Sequence, residues 1–160
     1  MTAVHYRKLE SPDKNWVNEF IKENWGSNIV IVHDKQYEPS TLNGFYAEIE
    51  NIKVGLITYI IDNKDCEIVT LDSKKENVGI GSALINLVKE EALKNNCNKI
   101  WLITTNDNLK AISFYQKRGF YLTKVYPDTI KKYRLIKKEI PLTADNGIPI
   151  RDELQFEIIL

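Results

Sequence analysis

The segment from Cys66 to Leu84 constrains this chain more than any other. Cys66 to Leu71 is an apolar-rich run that reads as a strand, and a polar stretch follows it. Gly79 and Gly81 then flank Ile80, and an amphipathic helix begins. The first N–H groups of a helix have no partner inside it, and the helix dipole is positive at that end. Glycines let the backbone turn and let an anion approach closely. The stretch therefore reads as a phosphate cradle at a helix N-terminus. A Walker A loop needs Lys and Ser/Thr after its second glycine, but Ser82 and Ala83 follow Gly81. A Rossmann fingerprint needs a third glycine where Leu84 stands. Taken alone, Gly-x-Gly before a helix also fits an ordinary strand-to-helix loop.

On either side of this segment the periodicity gives a regular alternation of elements. Val4 to Leu9 reads as an edge or early strand. Ser11 caps a helix with Pro12 in its first turn. Trp16, Val17, Phe20 and Ile21 form its apolar face, it runs to about Asn24, and Gly26 ends it. Ile29 to Val32 reads as a short buried strand, and His33 to Asn43 as a loop. Gly44 to Glu50 and Lys53 to Ile61 pair as a hairpin about Asn51. Asp62 to Lys64 is a turn, and Asp65 to Leu71 is the next strand. The helix after the glycines carries Ile80, Leu84, Leu87, Val88, Ala92 and Leu93 on one face and stops near Asn95. Lys99 to Thr104 is a strand, so a right-handed crossover and a parallel pair are expected. A helix from Asn108 to Arg118 closes at Gly119, and Phe120 to Val125 is a strand. Tyr126 to Asp128 opens a further helix with Ile130, Tyr133 and Ile136 inward and its lysines and Arg134 on a solvated face. Asp145 to Gly147 is a turn, and Leu154 to Ile159 is the last strand.

A chain of 160 residues with this composition is expected to be one globular domain. A formal net charge of zero gives no electrostatic footprint for nucleic acid. No apolar run approaches a membrane span and no apolar leader opens the chain, so a cytoplasmic protein is expected. Cys66 and Cys97 read as buried free thiols. With only His5 and His33, no zinc site is expected.

The second informative stretch is Asn108 to Phe120. It carries Asn108, Ala111, Phe114, Tyr115, Gly119 and Phe120 at the spacing Asn-x-x-Ala-x-x-aromatic-Tyr-x-x-x-Gly-Phe. With Glu76-Asn77-Val78-Gly79-Ile80-Gly81 upstream, the chain resembles the GNAT family of N-acetyltransferases over about Lys53 to Val125. The first family motif is Gln/Arg-x-x-Gly-x-Gly/Ala, and Glu76 departs from it at the first position. Residue by residue the elements also have simpler readings: Asn108 as a helix cap, Tyr115 and Phe114 as packing residues, Gly119 as a helix stop.

The resemblance implies an α/β (α+β) acyl-CoA N-acyltransferase fold, a mixed, mostly antiparallel sheet flanked by helices. Residues 1–160 form a single domain, with 126–153 as a family-atypical insertion. It implies acetyl transfer from acetyl-CoA to a primary amine by direct attack in a ternary complex, with no metal. Asn77, Val78, Gly79, Ile80, Gly81, Ser82 and Ala83 would hold the CoA pyrophosphate through their backbone, with the Glu76 side chain pointing away. Leu71 would polarise the thioester carbonyl with its N–H, Asn108 would meet the pantetheine or acetyl region, and Tyr115 would be the general acid. Glu67 is a candidate base, because it shares strand parity with Leu71. His33, Asp34, Glu48 and a water chain are its rivals. The acceptor is a small-molecule, peptide or protein amine, and Trp25, Tyr37 and Tyr46 either line its pocket or pack the core. A homodimer is compatible with this reading, whereas a nucleic-acid or membrane partner is not expected. The alternative is a non-catalytic acyl-CoA-binding or regulatory domain of the same fold.

Overall fold

A computed structural model describes residues 2–160. The chain falls into two compact units. The first holds the residues up to Val30, Tyr37–Ile100 and Ile159–Leu160; the second holds Ile31–Gln36 and Trp101–Ile158.

The first unit is an antiparallel meander with one helix on each face. Its strands β1 (His5–Lys8), β4 (Asn43–Ile49), β5 (Ile52–Asp62) and β6 (Asp65–Ser73) lie side by side in that order. The β4–β5 turn places Glu50 and Asn51 at φ +49° and +64°, the twisted two-residue turn that suits a hairpin. Helix α1 (Lys14–Trp25) buries Val17, Phe20 and Ile21, and Gly26 ends it in the left-handed conformation. Its start differs from the expected Ser11 cap. Ser11–Asp13 is a 3-10 turn, and Asp13 Oδ2 accepts the Glu10 N–H at 2.9 Å. Pro12 sets this tighter turn before α1 begins.

Helix α2 (Ile80–Lys94) buries Ile80, Leu84, Ile85, Val88 and Ala92 against β4, β5 and β6. Leu93, expected on this face, is 57% exposed. It lies five residues past Val88, about 140° round the helix from the centre of the buried stripe. Ile85 takes the inward place. The sheet side of this contact is opened by Gly55: a Cβ there would stand 2.9 Å from the Ile80 Cγ2 atom.

The second unit holds most of strands β7 (Lys99–Thr105) and β9 (Glu153–Ile159) and all of β8 (Tyr121–Tyr126), in the order β7, β9, β8, with β8 and β9 antiparallel. It also holds helices α3 (Leu109–Lys117) and α4 (Ile130–Tyr133). Most of the short hairpin β2 (Val30–Val32) and β3 (Lys35–Tyr37) belongs here. That hairpin, with a 3-10 turn at Pro39–Thr41, corrects the reading of His33 to Asn43 as plain loop. His33 and Asp34 form its tight turn at φ +45° and +68°, and a two-residue turn is too short for hydrophobic periodicity to show.

The tail also differs from expectation. The helix after Tyr126 lasts a single turn, and Ile136 is exposed while Lys137 is buried. Burial pulls the Lys137 ammonium below its usual pKa. The basic face is not simply solvated. Arg134 donates to the Ile140, Pro141 and Ile150 carbonyls, and Lys132 pairs with Asp34. Asn106 pins the far end of the segment: its Oδ1 accepts the Arg151 and Asp152 N–H groups, and its Nδ2 donates to the Pro149 carbonyl.

Candidate active site

The anion-cradle reading depends on the backbone between β6 and α2. The Ser73 hydroxyl donates to the Lys75 carbonyl at 2.8 Å and accepts the Lys75 N–H at 3.1 Å, closing a turn as the strand ends. Asn77 and Gly79 then take φ +61° and +81°. Two left-handed residues curl a short loop, and glycine adopts that region at no steric cost. Gly79 occupies the N-cap position of the 15-residue α2 and has no side chain to cap it. A Cβ at Gly79 would meet nothing within 4 Å. Val78 is largely exposed and Glu76 is exposed. The first-turn amides, with the helix dipole behind them, form a site suited to a phosphate or pyrophosphate.

Leu71 lies upstream of this loop, where strand geometry fixes its amide direction. The Lys74 N–H donates to the Val54 carbonyl at 2.7 Å, and Asp72 faces Leu56 in the same register. In an antiparallel pair, hydrogen-bonded and non-hydrogen-bonded positions alternate. Residues 72 and 74 therefore turn their amides towards β5, and Leu71 turns its amide away from β5.

A β-bulge puts Glu67 and Leu71, which share strand parity, on opposite faces of the sheet. Thr58 faces Thr70 and Tyr59 faces Ile68, which leaves Val69 as an extra residue. Leu71 faces Ile57 and Glu67 faces Ile60. These β5 partners are three apart, so they lie on opposite faces. Leu71 shares the α2 face with Gly55, Ile57 and Tyr59. Burial, with Glu91 of α2 next in effect, pushes the Tyr59 hydroxyl up to about 12.

Glu67, Thr70 and Asp72 instead share the α1 face. Glu67 is 4% exposed and accepts the Tyr37 hydroxyl at 2.9 Å. Burial first, and Glu67 second, raise the Tyr37 pKa far above the usual phenol value. Thr58 and Thr70 are fully buried and share a 2.6 Å hydrogen bond. Asp72 Oδ2 accepts the Trp25 indole N–H at 2.8 Å. Its carboxyl is raised by burial, against which the indole bond acts to lower it. Tyr46 is packed beside Trp16 with the Lys53 ammonium 4.7 Å above its ring, so it is a core residue. Glu48 reaches Arg7 at 4.0 Å on the β1 side.

In the second unit, Asn108 caps α3 as its residue type suggests. Its Oδ1 accepts the Ala111 N–H and its Nδ2 donates to Thr104 Oγ1, both at 3.3 Å. Tyr115 is 8% exposed, with its ring edge-on to Phe114 and Phe120 at 5.3 and 5.5 Å. Gly119 follows at φ +92° and lets the chain reverse into β8. His33 and Asp34, the rival bases, sit in a different environment. Glu153 accepts the His33 N–H and the Tyr133 hydroxyl, which itself accepts the Asp34 N–H. Periodicity hides this buried network, because Glu153 lies on a strand beside the apolar Leu154 and Phe156. Phe156 is buried as its residue type suggests, but so are Glu153, Gln155 and Glu157 on the other face of the strand, satisfied by Tyr133, Tyr126 and one another.

Among the described residues no cluster of three or more His, Cys, Asp or Glu could hold a metal, and no helix is long and apolar enough to cross a membrane.

The match to known proteins is extensive. The family model of the acetyltransferase (GNAT) family matches residues 8–120. The chain is 45% identical over 148 residues to the uncharacterized protein YdhI of Bacillus subtilis (strain 168), covering 92% of each. It is 31% identical over 145 residues to the uncharacterized N-acetyltransferase MJ1530 of Methanocaldococcus jannaschii, covering 83% of this chain and 90% of that one. Among solved structures, Arabidopsis thaliana Naa50 in complex with the bisubstrate analogue CoA-Ac-MVNAL aligns with a TM-score of 0.73 at 23% identity, over 98% of this chain and 99% of that one. The fold is the mixed, mostly antiparallel sheet flanked by helices of those enzymes, and the chain belongs to the GNAT acetyltransferase family.

Proposed function

We propose that this protein is an N-acetyltransferase that moves the acetyl group of acetyl-CoA to a primary amine by direct attack in a ternary complex. The observation that carries this reading is the run from Leu71 to Ala83. It combines an amide turned away from its strand partner, two left-handed loop residues and a helix start without a side-chain cap. The backbone of Asn77 to Ala83 holds the CoA pyrophosphate. The Leu71 N–H polarises the thioester carbonyl and stabilises the negative oxygen that forms on attack. Asn108 meets the pantetheine arm or acetyl region, and the Tyr115 hydroxyl protonates the leaving thiolate. A thiol is acidic enough for that assistance to be modest.

The acceptor is a small-molecule, peptide or protein amine. The peptide-bearing analogue bound to Naa50 supports a peptide amine as one member of that class. The setting is cytoplasmic, and the whole chain works as a single catalytic domain with residues 126–153 as an insertion.

Acetyl-CoA at about 100 times its Kd should add about 2.7 kcal/mol of stability. For a chain of this size that raises Tm by roughly 5–10 °C. No thermal response to acetyl-CoA or CoA would remove the reading. Thiol release over a panel of primary amines separates an enzyme from a non-catalytic acyl-CoA-binding domain. Tyr115→Phe should lower kcat by about 10- to 100-fold and leave acetyl-CoA affinity unchanged; unchanged kcat would refute the acid role.

A further inference from the structure

We infer that Asp72, held by the Trp25 indole, is the carboxylate that takes the proton from the acceptor's ammonium group. This role presupposes the acetyl transfer proposed above and goes further, because it assigns the base to a residue that strand parity does not select.

Proximity is the first ground. The amine must reach a carbonyl held by the Leu71 N–H. Asp72 is the next residue, with its Cα about 3.8 Å from that of Leu71. Glu67 pairs three β5 positions away from the Leu71 partner, about 10 Å along the sheet. It also lies behind the fully buried Thr58–Thr70 pair, with its Oε2 taken by Tyr37.

Orientation is the second ground. The Asp72 side chain is on the α1 face, whereas α2 and the phosphate loop lie on the other face of the sheet. A carboxylate there meets an amine that approaches from the side opposite the pyrophosphate site.

The third ground is how Asp72 is held. The last turns of α1 are fastened to the end of β6 by three contacts. These are the Trp25–Asp72 bond at 2.8 Å, the Lys74–Glu23 ion pair at 3.0 Å, and the Lys74 ammonium 5.5 Å over the Phe20 ring. The clasp fixes the carboxyl beside the residue that polarises the carbonyl.

Several charged groups on the packed elements are already engaged. Glu23 of α1 pairs with Lys74, just past the end of β6, Lys53 of β5 pairs with Asp13 at 2.7 Å, and Glu67 of β6 takes the Tyr37 hydroxyl. Burial lifts the Asp72 carboxyl above the usual carboxylate range, while the Trp25 bond limits that rise. A base with a raised pKa is better matched to deprotonating an ammonium.

The step balances. The Asp72 carboxylate removes one proton from R–NH3+, and the freed lone pair forms the C–N bond. The C–S bond breaks with its electron pair on sulfur. The second nitrogen proton passes to the Tyr115 phenolate left when that hydroxyl protonates the thiolate, and the Asp72 proton leaves to solvent.

The test compares pH profiles of kcat/KM for an acetylated member of a panel holding the peptide Met-Val-Asn-Ala-Leu, lysine and spermidine. Acetyl-CoA Kd is measured in parallel by calorimetry. Asp72→Asn keeps an oxygen for the Trp25 indole but cannot take a proton. It should lower kcat/KM about 100-fold near neutrality, remove the acid limb, recover rate at high pH where the amine is already neutral, and spare acetyl-CoA binding. Asp72→Glu should restore part of the rate. Trp25→Phe removes the bond that lowers the Asp72 pKa, so the acid limb should move to higher pH. A structural role alone would not move it. An acid limb retained in Asp72→Asn and lost in Glu67→Gln would overturn the assignment. Acetyl-CoA binding with no amine acetylated would overturn it together with the Tyr115 role. Failure to bind acetyl-CoA would instead sink the acetyl-transfer reading itself.

Discussion

Gly55→Ala tests how the phosphate loop is seated. The added Cβ would stand 2.9 Å from Ile80 Cγ2, 3.4 Å from Ala47 Cβ and 3.5 Å from the Asp72 carbonyl. The first distance is shorter than carbon contacts tolerate, and Cγ2 cannot swing aside. It is fixed to a β-branched carbon that holds one rotamer in a helix, and Ile80 is 1% exposed. The clash must be relieved by moving the first turn of α2 off the sheet. Overpacking of this kind costs about 1–3 kcal/mol. The smaller entropy of an unfolded alanine returns about 0.4–1 kcal/mol, so a net loss of about 1–2 kcal/mol is expected. Urea unfolding should show it as a lower midpoint at constant m-value. Ile80→Ala alone should cost about 2–5 kcal/mol, as for other buried aliphatics. In the Gly55→Ala background it should cost about 1–2 kcal/mol less, because the clash is already gone. Because Ile80 directly follows Gly79, acetyl-CoA affinity should also fall in Gly55→Ala and recover in the double variant. A Gly55→Ala protein as stable as its parent, or single effects that simply add, would show that the Gly55–Ile80 contact does not set the seat of α2.

Two further outcomes follow from the surroundings of individual groups. Asp13 is pulled up by burial but held lower overall by the Lys53 ammonium at 2.7 Å and the Glu10 N–H. A depressed folded pKa means the stabilisation is present above the unfolded value near pH 4 and is lost as the pH falls through the folded value. Lys53→Met should therefore cost about 1 kcal/mol or less at neutral pH and flatten the loss of stability on acidification; an unchanged acid slope in urea titrations at stepped pH would contradict the pairing. Burial pushes the Cys66 thiol up to about 12 and raises Cys97 as well. Neither should react with a disulfide reagent at pH 8 in the native protein, while both should react after unfolding; fast native labelling would show that the β6 core opens.

Much of the architecture was legible because it rests on local chemistry. The Gly79–Ile80–Gly81 turn, the Asn108 cap, the Gly26 and Gly119 helix ends and the alternation in β4 and β5 each depend on residues a few positions apart. Single-sequence periodicity captures that range. Two motifs in order were enough to indicate the family, which the match over residues 8–120 establishes. The tail was less legible. Arg134 looks like part of a solvated basic face in sequence, but its partners Pro141 and Ile150 lie seven and sixteen positions away.

The face that each β6 residue presents was settled only by tertiary structure. Sequence spacing puts Glu67 and Leu71 on one side, since side chains alternate along an unbroken strand. The extra residue at Val69 reverses that relation, and a bulge arises from pairing with β5 rather than from any signature within β6. The same pairing turns Asp72 towards α1, where an indole forty-seven positions earlier fixes its carboxyl. The sequence alone determined that a glycine-bearing loop and a helix start follow this strand. Which carboxylate stands beside it depended on the register of two strands and the docking of one helix, contacts that form only when distant segments meet.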